Sequence, residues 1–231
     1  MITLEKIILS IKRRFLKLRL QPIRVYCMHH VCAAFKEESM NRGDWMQIDE
    51  FKQKVLAMQQ DGVQFLSLTD AYNRISNDRF RRRKYAVLTF DDGYASLKEI
   101  LPWLEEQYTP ATLFINGKYL DGKSYRKNPK EKYLTKEELF ALTSPMIEIG
   151  SHGWEHTYAT RMINQQFAES IDRNVQLLSR HPRYVPFHAY TYGDHNTVSD
   201  YILRERSLLP VLIDGVKNYN NEHVIHRELL K

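Results

Sequence analysis

Two cysteines, Cys27 and Cys32, are too few in 231 residues for a disulfide framework, and a reduced thiol is the plain reading of each. Their C-x4-C spacing around His29 and His30 matches no common zinc pattern, so a Cys/His zinc site there is conceivable but disfavoured. Nine glycines and eight prolines exclude collagen-like and proline-rich architectures. No apolar run approaches the roughly 20 residues of a membrane span. The longest near the start, residues 7–11, lies between Lys6 and Lys12 with no small-residue cleavage site after it, so no secretory signal is expected. What remains is ordinary globular material: 43% hydrophobic and 27% charged residues, enough for one domain with a real core.

The net charge of +6 is unevenly placed. Residues 1–20 carry Lys6, Lys12, Arg13, Arg14, Lys17 and Arg19 against Glu5 alone, so the body of the chain is almost neutral. Aromatics do not alternate with basic residues as a single-strand platform requires, and no nucleic-acid partner is expected. At roughly 100° per residue, Leu4, Ile7, Ile8, Ile11, Phe15 and Leu18 fall in an arc about 100° wide, with Lys6, Arg13 and Lys17 opposite. Residues 1–22 thus read as a basic amphipathic helix ended by Gln21-Pro22. It could pack on the domain or lie on an anionic membrane surface. A second basic run, Arg79 to Lys84, reads as a solvated loop, with contact to a phosphate-bearing substrate as the minority view.

From residue 23 to 231 the pattern alternates. Strands are expected over 23–28, 63–68, 85–90, 111–115, 146–149, 184–188 and 211–213. Helices are expected over 49–60, 97–107, 135–142 (Thr135 and Glu138 forming a capping box), 164–179 and 197–206. Such alternation implies an α/β fold with a parallel sheet, and about seven strands in this length favour a distorted (β/α)7 barrel in a single domain. The polar stretch 117–134 reads as a loop beside the site.

In such barrels chemistry gathers at the C-terminal ends of strands. Three strand ends are polar: Asp91-Asp92-Gly93, then residues 150–157 with His152 and His156, then Ala189 to Asp194. Spacing of four puts His152 and His156 on one face of a helical turn, where both reach one metal ion. One carboxylate of Asp91-Asp92 would complete a two-His, one-carboxylate set, and its neighbour would be placed to act as a base. Helix capping or a satisfied core histidine accounts for any one of these residues, but less well for all of them at successive strand ends.

These segments resemble the motifs of the polysaccharide deacetylases, carbohydrate esterase family 4, also called the NodB-homology domain. Residues 87–94 (VLTFDDGY) are similar to the first motif, and 148–157 (EIGSHGWEHT) to the second, metal-binding one. Residues 189–194 (AYTYGD) are similar to the third. Met28-His29-His30-Val31 and Pro110 to Ile115 resemble flanking stretches. The resemblance implies a distorted barrel that hydrolyses the N-acyl group, typically acetyl, of an amino sugar in a glycan; the basic amphipathic start and the missing signal add a lipid-linked glycan precursor as a candidate substrate. It implies Asp91 as catalytic base and Asp92, His152 and His156 as ligands of one divalent metal, usually zinc and sometimes cobalt or nickel. The backbone N–H of Tyr192 would hold the oxyanion. Tyr190 and Trp154 are the candidate substrate contacts. The late L-x-H histidine of the family has no counterpart in His223 or His226; His29, at the end of the first strand, is a candidate proton donor, and Arg227 resembles the family's arginine near the last strand. The expected location is cytoplasmic, peripheral to the inner membrane face. The readings from other classes are a non-catalytic glycan-binding or assembly protein, and, within the enzyme class, a deformylase of a lipid-linked amino sugar.

Overall fold

In the computed structural model, residues 20–33, 45–78, 81–123, 132–220 and 223–230 are described. Of the amphipathic helix expected at the N-terminus, residues 1–19 lie outside the described residues, as do residues 124–131 of the polar stretch. The strands are β1 (Ile23–Met28), β2 (His30–Cys32), β3 (Trp45–Gln47), β4 (Val63–Phe65), β5 (Lys84–Phe90), β6 (Ala111–Ile115), β7 (Ile147–Ser151), β8 (Tyr184–Ala189), β9 (Leu209–Ile213) and β10 (Ile225–Leu229). Seven of them close a ring in the order β1-β10-β9-β8-β7-β6-β5 and back to β1, all parallel. β4 pairs only with the start of β5, and β2 with β3 forms a separate two-stranded piece. This is the expected distorted (β/α)7 barrel.

Closure rests on β1 and β5, in register from Ile23↔Tyr85 to Met28↔Phe90. That register sets His29 and Asp91 side by side where the two strands end. The joint between β1 and β10 is shorter, with Tyr26↔Glu228 and Cys27↔Leu229 as its pairs. Alternation along the strands separates two cores. Val25, Val87, Phe114, Phe187, Val211 and Ile225 point inward, where Leu68, Ala71 and Ile75 of the helix Leu68–Asn77 join them. The outward residues, among them Met28, Leu88, Phe90, Leu113 and Ile149, pack under helices such as Ile48–Gln60.

The helix Leu68–Asn77 was not legible as a helix, because Val63 to Leu68 reads as extended. Ser67 ends that extension: its Oγ accepts from the Asp70 N–H as an N-cap. The buried Glu148 carboxylate also accepts from the Leu68 N–H at 2.9 Å, which holds the start of this helix against β7. The expected helix 97–107 is broken into a 3-10 turn, Ala95–Glu99, and a short helix, Leu101–Glu106, opened by Pro102. The Thr135 capping box is present as expected. In the basic run 79–84, Arg81 is neither solvated nor free for phosphate. It is 2% exposed and its guanidinium donates to the carbonyls of Gln21, Arg74 and Tyr219.

Gly150 is where the inner packing is tightest. A Cβ there would sit 2.6 Å from the Phe114 ring. Gly150→Ala is expected to cost about 1–3 kcal/mol by overpacking. Urea titration would read the loss, and Phe114→Leu in the same chain would recover part of it.

Candidate metal centre

β5 ends in Asp91-Asp92, and both carboxylates are buried, 3% and 1% exposed. Asp92 adopts φ 71 and Gly93 φ 83, a left-handed pair that turns the chain sharply off the strand. The next contributor is the loop after β7. Asp92 Oδ1 lies 3.3 Å from His152 Nε2 and 3.0 Å from His156 Nε2. One ligand atom from each of Asp92, His152 and His156 lies within 4.8 Å of the others, and among the described residues this is the cluster able to hold a metal ion.

The two histidines meet by a route other than the expected one. Residues 152–158 are a loop, not a helical turn, with Gly153 at φ 77 and His156 at φ 50. Its carbonyls are pinned: Asn116 Nδ2 donates to His152 O at 2.6 Å and to Gly153 O at 3.1 Å, and Thr191 Oγ1 donates to His152 O at 3.2 Å. The His152 ring is fixed as well, since Nδ1 donates to the Ala189 carbonyl at 2.7 Å. That bond leaves Nε2 aimed at Asp92. A histidine anchored through one nitrogen with the other facing a carboxylate is the arrangement a metal ligand needs, so this donor set fits a divalent cation.

Asp91 is held differently. Arg227 on β10 grips it with both arms, Nη1 to Oδ1 at 2.6 Å and Nη2 to Oδ2 at 2.9 Å. Burial alone would raise the Asp91 pKa, but Arg227 foremost, then His152, hold it down to about 2. Burial works against ionisation of Asp92 too, and hydrogen bonds from His152 and His156 keep it well below the usual carboxylate range. His152 is pulled down by burial but raised on balance by Asp91 and Asp92. The Cys27 Sγ lies 3.4 Å from Asp91 Oδ2, and burial pushes that thiol up. Cys32 instead accepts from Trp45 Nε1 at 2.8 Å, so the two cysteines do not converge on a zinc site with His29 and His30.

The remaining expected residues divide. His29 follows β1 at the rim, close enough that its charge bears on both Asp91 and Asp92. Tyr192 has φ 59 and ψ 10, and its ring stands 57% exposed beside the triad, edge-on to His156 at 4.8 Å and stacked on Tyr158 at 4.2 Å. Tyr190 does not reach the site surface. It is 1% exposed, packs on Phe167, and its hydroxyl donates to Asp200 at 2.9 Å, so it is a core residue rather than a substrate contact. Trp154 lies in the ligand loop with the Arg173 guanidinium 4.0 Å over its ring. His226 is adjacent to the inward Arg227 and therefore faces outward, paired with Asp214 at 2.7 Å. Asn116, Thr191 and Tyr158 were missed. Asn116 follows the apolar run Ala111 to Ile115, a strand-end signal of the kind that marked Asp91.

His188, beneath the ligand loop, contacts Ser151 Oγ at 3.1 Å and is buried enough that its pKa falls to about 3. The unfolded imidazole takes a proton near pH 6.5 and the folded one does not, so stability is lost as pH falls below 6.5 and levels off near 3. Between pH 7 and 4.5 the loss is expected to be on the order of 2–3 kcal/mol. Urea titrations at both pH values would measure it, and His188→Gln should flatten the dependence.

Comparison with known proteins bears on the fold and the family. The chain resembles in fold a solved structure of IcaB from Ammonifex degensii, with a TM-score of 0.74, 20% identity, and coverage of 91% of this chain and 94% of that one. It also resembles the deacetylase PplD of Streptococcus pyogenes solved with acetate, with a TM-score of 0.75, 20% identity, and coverage of 91% and 93%. A relative in Bacillus subtilis (strain 168), YxkH, which bears a polysaccharide deacetylase name, is 27% identical over 118 residues, 51% of this chain and 39% of its own length. This chain thus matches about two fifths of that relative. The polysaccharide deacetylase family model matches residues 78–209, a span holding both acids, both histidines and most of the barrel. The chain belongs to the polysaccharide deacetylase family.

Proposed function

We propose that the chain is a metal-dependent hydrolase that removes an N-acyl group, acetyl in the first instance, from an amino sugar of a glycan or lipid-linked glycan precursor. The observation that carries this reading is the convergence of Asp92, His152 and His156 beside a second, separately held carboxylate. A divalent cation held by those three residues would polarise the acyl carbonyl and acidify an attacking water. Asp91 takes the proton of that water, its carboxylate oriented by the two arms of Arg227. The Tyr192 backbone N–H donates to the oxygen that becomes negative as the carbonyl carbon turns tetrahedral. His29, beside Asp91 where β1 and β5 end, supplies the proton that lets the amine leave. The outward turn of His226 removes the alternative donor on the last strand, and it is also the observation that favours a non-catalytic glycan binder.

Metal analysis separates the parts. The wild-type chain is expected to hold one equivalent of zinc, cobalt or nickel, and His152→Ala little or none. Asp91→Asn is expected to keep the metal and lose about 10²–10⁴-fold in amine release from acylated amino sugars. A binder would show no amine release from wild type. Comparing acetylated with formylated substrates decides between deacetylase and deformylase.

We further propose that residues 1–20 seat the enzyme on an anionic membrane surface at the cytoplasmic side, supported by the basic amphipathic pattern of that segment. Among the described residues no helix is long and apolar enough to cross a membrane. Deleting residues 1–20 is expected to abolish sedimentation with phosphatidylglycerol vesicles, and unchanged sedimentation would reject this placement.

A further inference from the structure

The loop that carries both histidines has an outer side that the reaction does not use. There Trp154, Glu155 and Thr157 line a cleft of about 420 Å3 together with Arg161, Glu169 and Arg173. Arg173 belongs to the helix Asn164–Leu178, and Arg161 to the 3-10 turn Ala159–Arg161. Each guanidinium sits over an aromatic ring of the ligand loop: the Arg173 Cζ is 4.0 Å from the Trp154 ring centre, and the Arg161 Cζ is 3.9 Å from that of Tyr158. Neither forms an ion pair among the described residues. Both acids that line the cleft are engaged by other partners. Glu155 pairs with Lys118 at 3.1 Å, and Glu169, one turn before Arg173, accepts from Gln165 at 2.9 Å.

A guanidinium stacked on a ring is orientationally fixed, and its N–H edges stay available for two parallel bonds to an oxyanion. Two of them on one cleft, without carboxylate partners, form a receptor for phosphate or carboxylate rather than for a neutral hydroxyl surface. Trp154 is no platform for a sugar ring here, because Arg173 covers one face and Gly117 crowds the ring: a Cβ on Gly117 would come within 2.5 Å of it. Trp154 and Thr157 belong to the loop that carries His152 and His156, so the cleft and the metal centre are built on one segment.

We propose that this cleft binds an anionic substituent of the substrate, a phosphoryl or carboxylate group carried beside the acylated amino sugar. The assignment rests on the hydrolase reading for its link to turnover, but not for binding itself. Glucose 1-phosphate, glucuronate and methyl glucoside carry no N-acyl group, so calorimetric titration of the full chain with each reads the cleft without turnover. The phosphate or the glucuronate is expected to bind about tenfold or more tightly than methyl glucoside, and that advantage to vanish in Arg161→Gln/Arg173→Gln. Which of the two anions binds better identifies the source as phosphoryl or uronate. Arg161→Lys/Arg173→Lys, which keeps the charge but not the planar fork, is expected to retain only part of the advantage. Equal binding of charged and neutral probes by wild type, or an anion advantage that survives in the glutamine variant, would overturn the proposal. In a second arm, kcat/KM for N-acetylglucosamine carrying a 1-phosphate is compared with that for its methyl glycoside. A wild type that releases no amine from any substrate yet binds anions through the two arginines would leave the cleft assigned and remove the hydrolase reading.

Discussion

Two adjacent carboxylates buried at one strand end are the constraint on which this molecule turns. Neither Asp91 nor Asp92 is more than 3% exposed, and two like charges this close cannot stay ionised without separate compensation. The fold supplies it from opposite directions. Arg227 reaches Asp91 from β10, and the imidazoles of His152 and His156 reach Asp92 from the loop after β7. These elements lie on opposite sides of β5 around the ring. An open sheet with the same strands would leave β10 at a far edge, and Asp91 would then be a buried charge without a partner. Closure through the β1–β5 pairing is therefore an electrostatic requirement of the site as well as a packing outcome.

The compensation is also a division of labour. The Asp91 pair is bidentate and buried, so the Asp91 charge is balanced within the chain. The Asp92 partners are imidazoles, which neutralise a carboxylate only when protonated and bind a cation only when not. The Ala189 carbonyl settles part of that choice by fixing the proton of His152 on Nδ1. Asn116 and Thr191 hold the loop carbonyls in place, so the ring positions do not depend on a helix.

Much of this was legible in the sequence because it is local. Apolar runs ending in acids or histidines marked the strand ends, and the Thr135–Glu138 pattern marked a helix start. What was not legible depends on partners far away in sequence. Spacing of four between His152 and His156 suggested a helical turn, but the positive φ of Gly153 and His156 makes a loop that reaches the same result. The third motif suggested a substrate contact at Tyr190. Burial of its ring against Phe167, with the hydroxyl on Asp200, shows that in this motif alternate aromatics serve the core and the rim, and Tyr192 is the one at the rim. The direction of His226 could not be read before the strand register of Arg227 was known.

The low pKa of Asp91 bears on why the two halves of the site belong together. A carboxylate held below its usual range is a poor base toward bulk water, a far weaker acid. Proton removal becomes feasible only when the water is made far more acidic than bulk, and the cation-binding triad stands immediately beside the Asp91 carboxylate, whose Oδ2 is 4.0 Å from His152 Nε2. Arg227 thus weakens the base while fixing its aim, an exchange that makes sense only if acidity is supplied next door. Had Asp91 been left to burial alone, its pKa would have risen and it would have been a stronger base with no fixed orientation. On the proposed reading, the clamp therefore couples the base to the metal ligands, and a chain that lost Asp92 or either histidine would keep a well-formed Asp91 with no proton it could take.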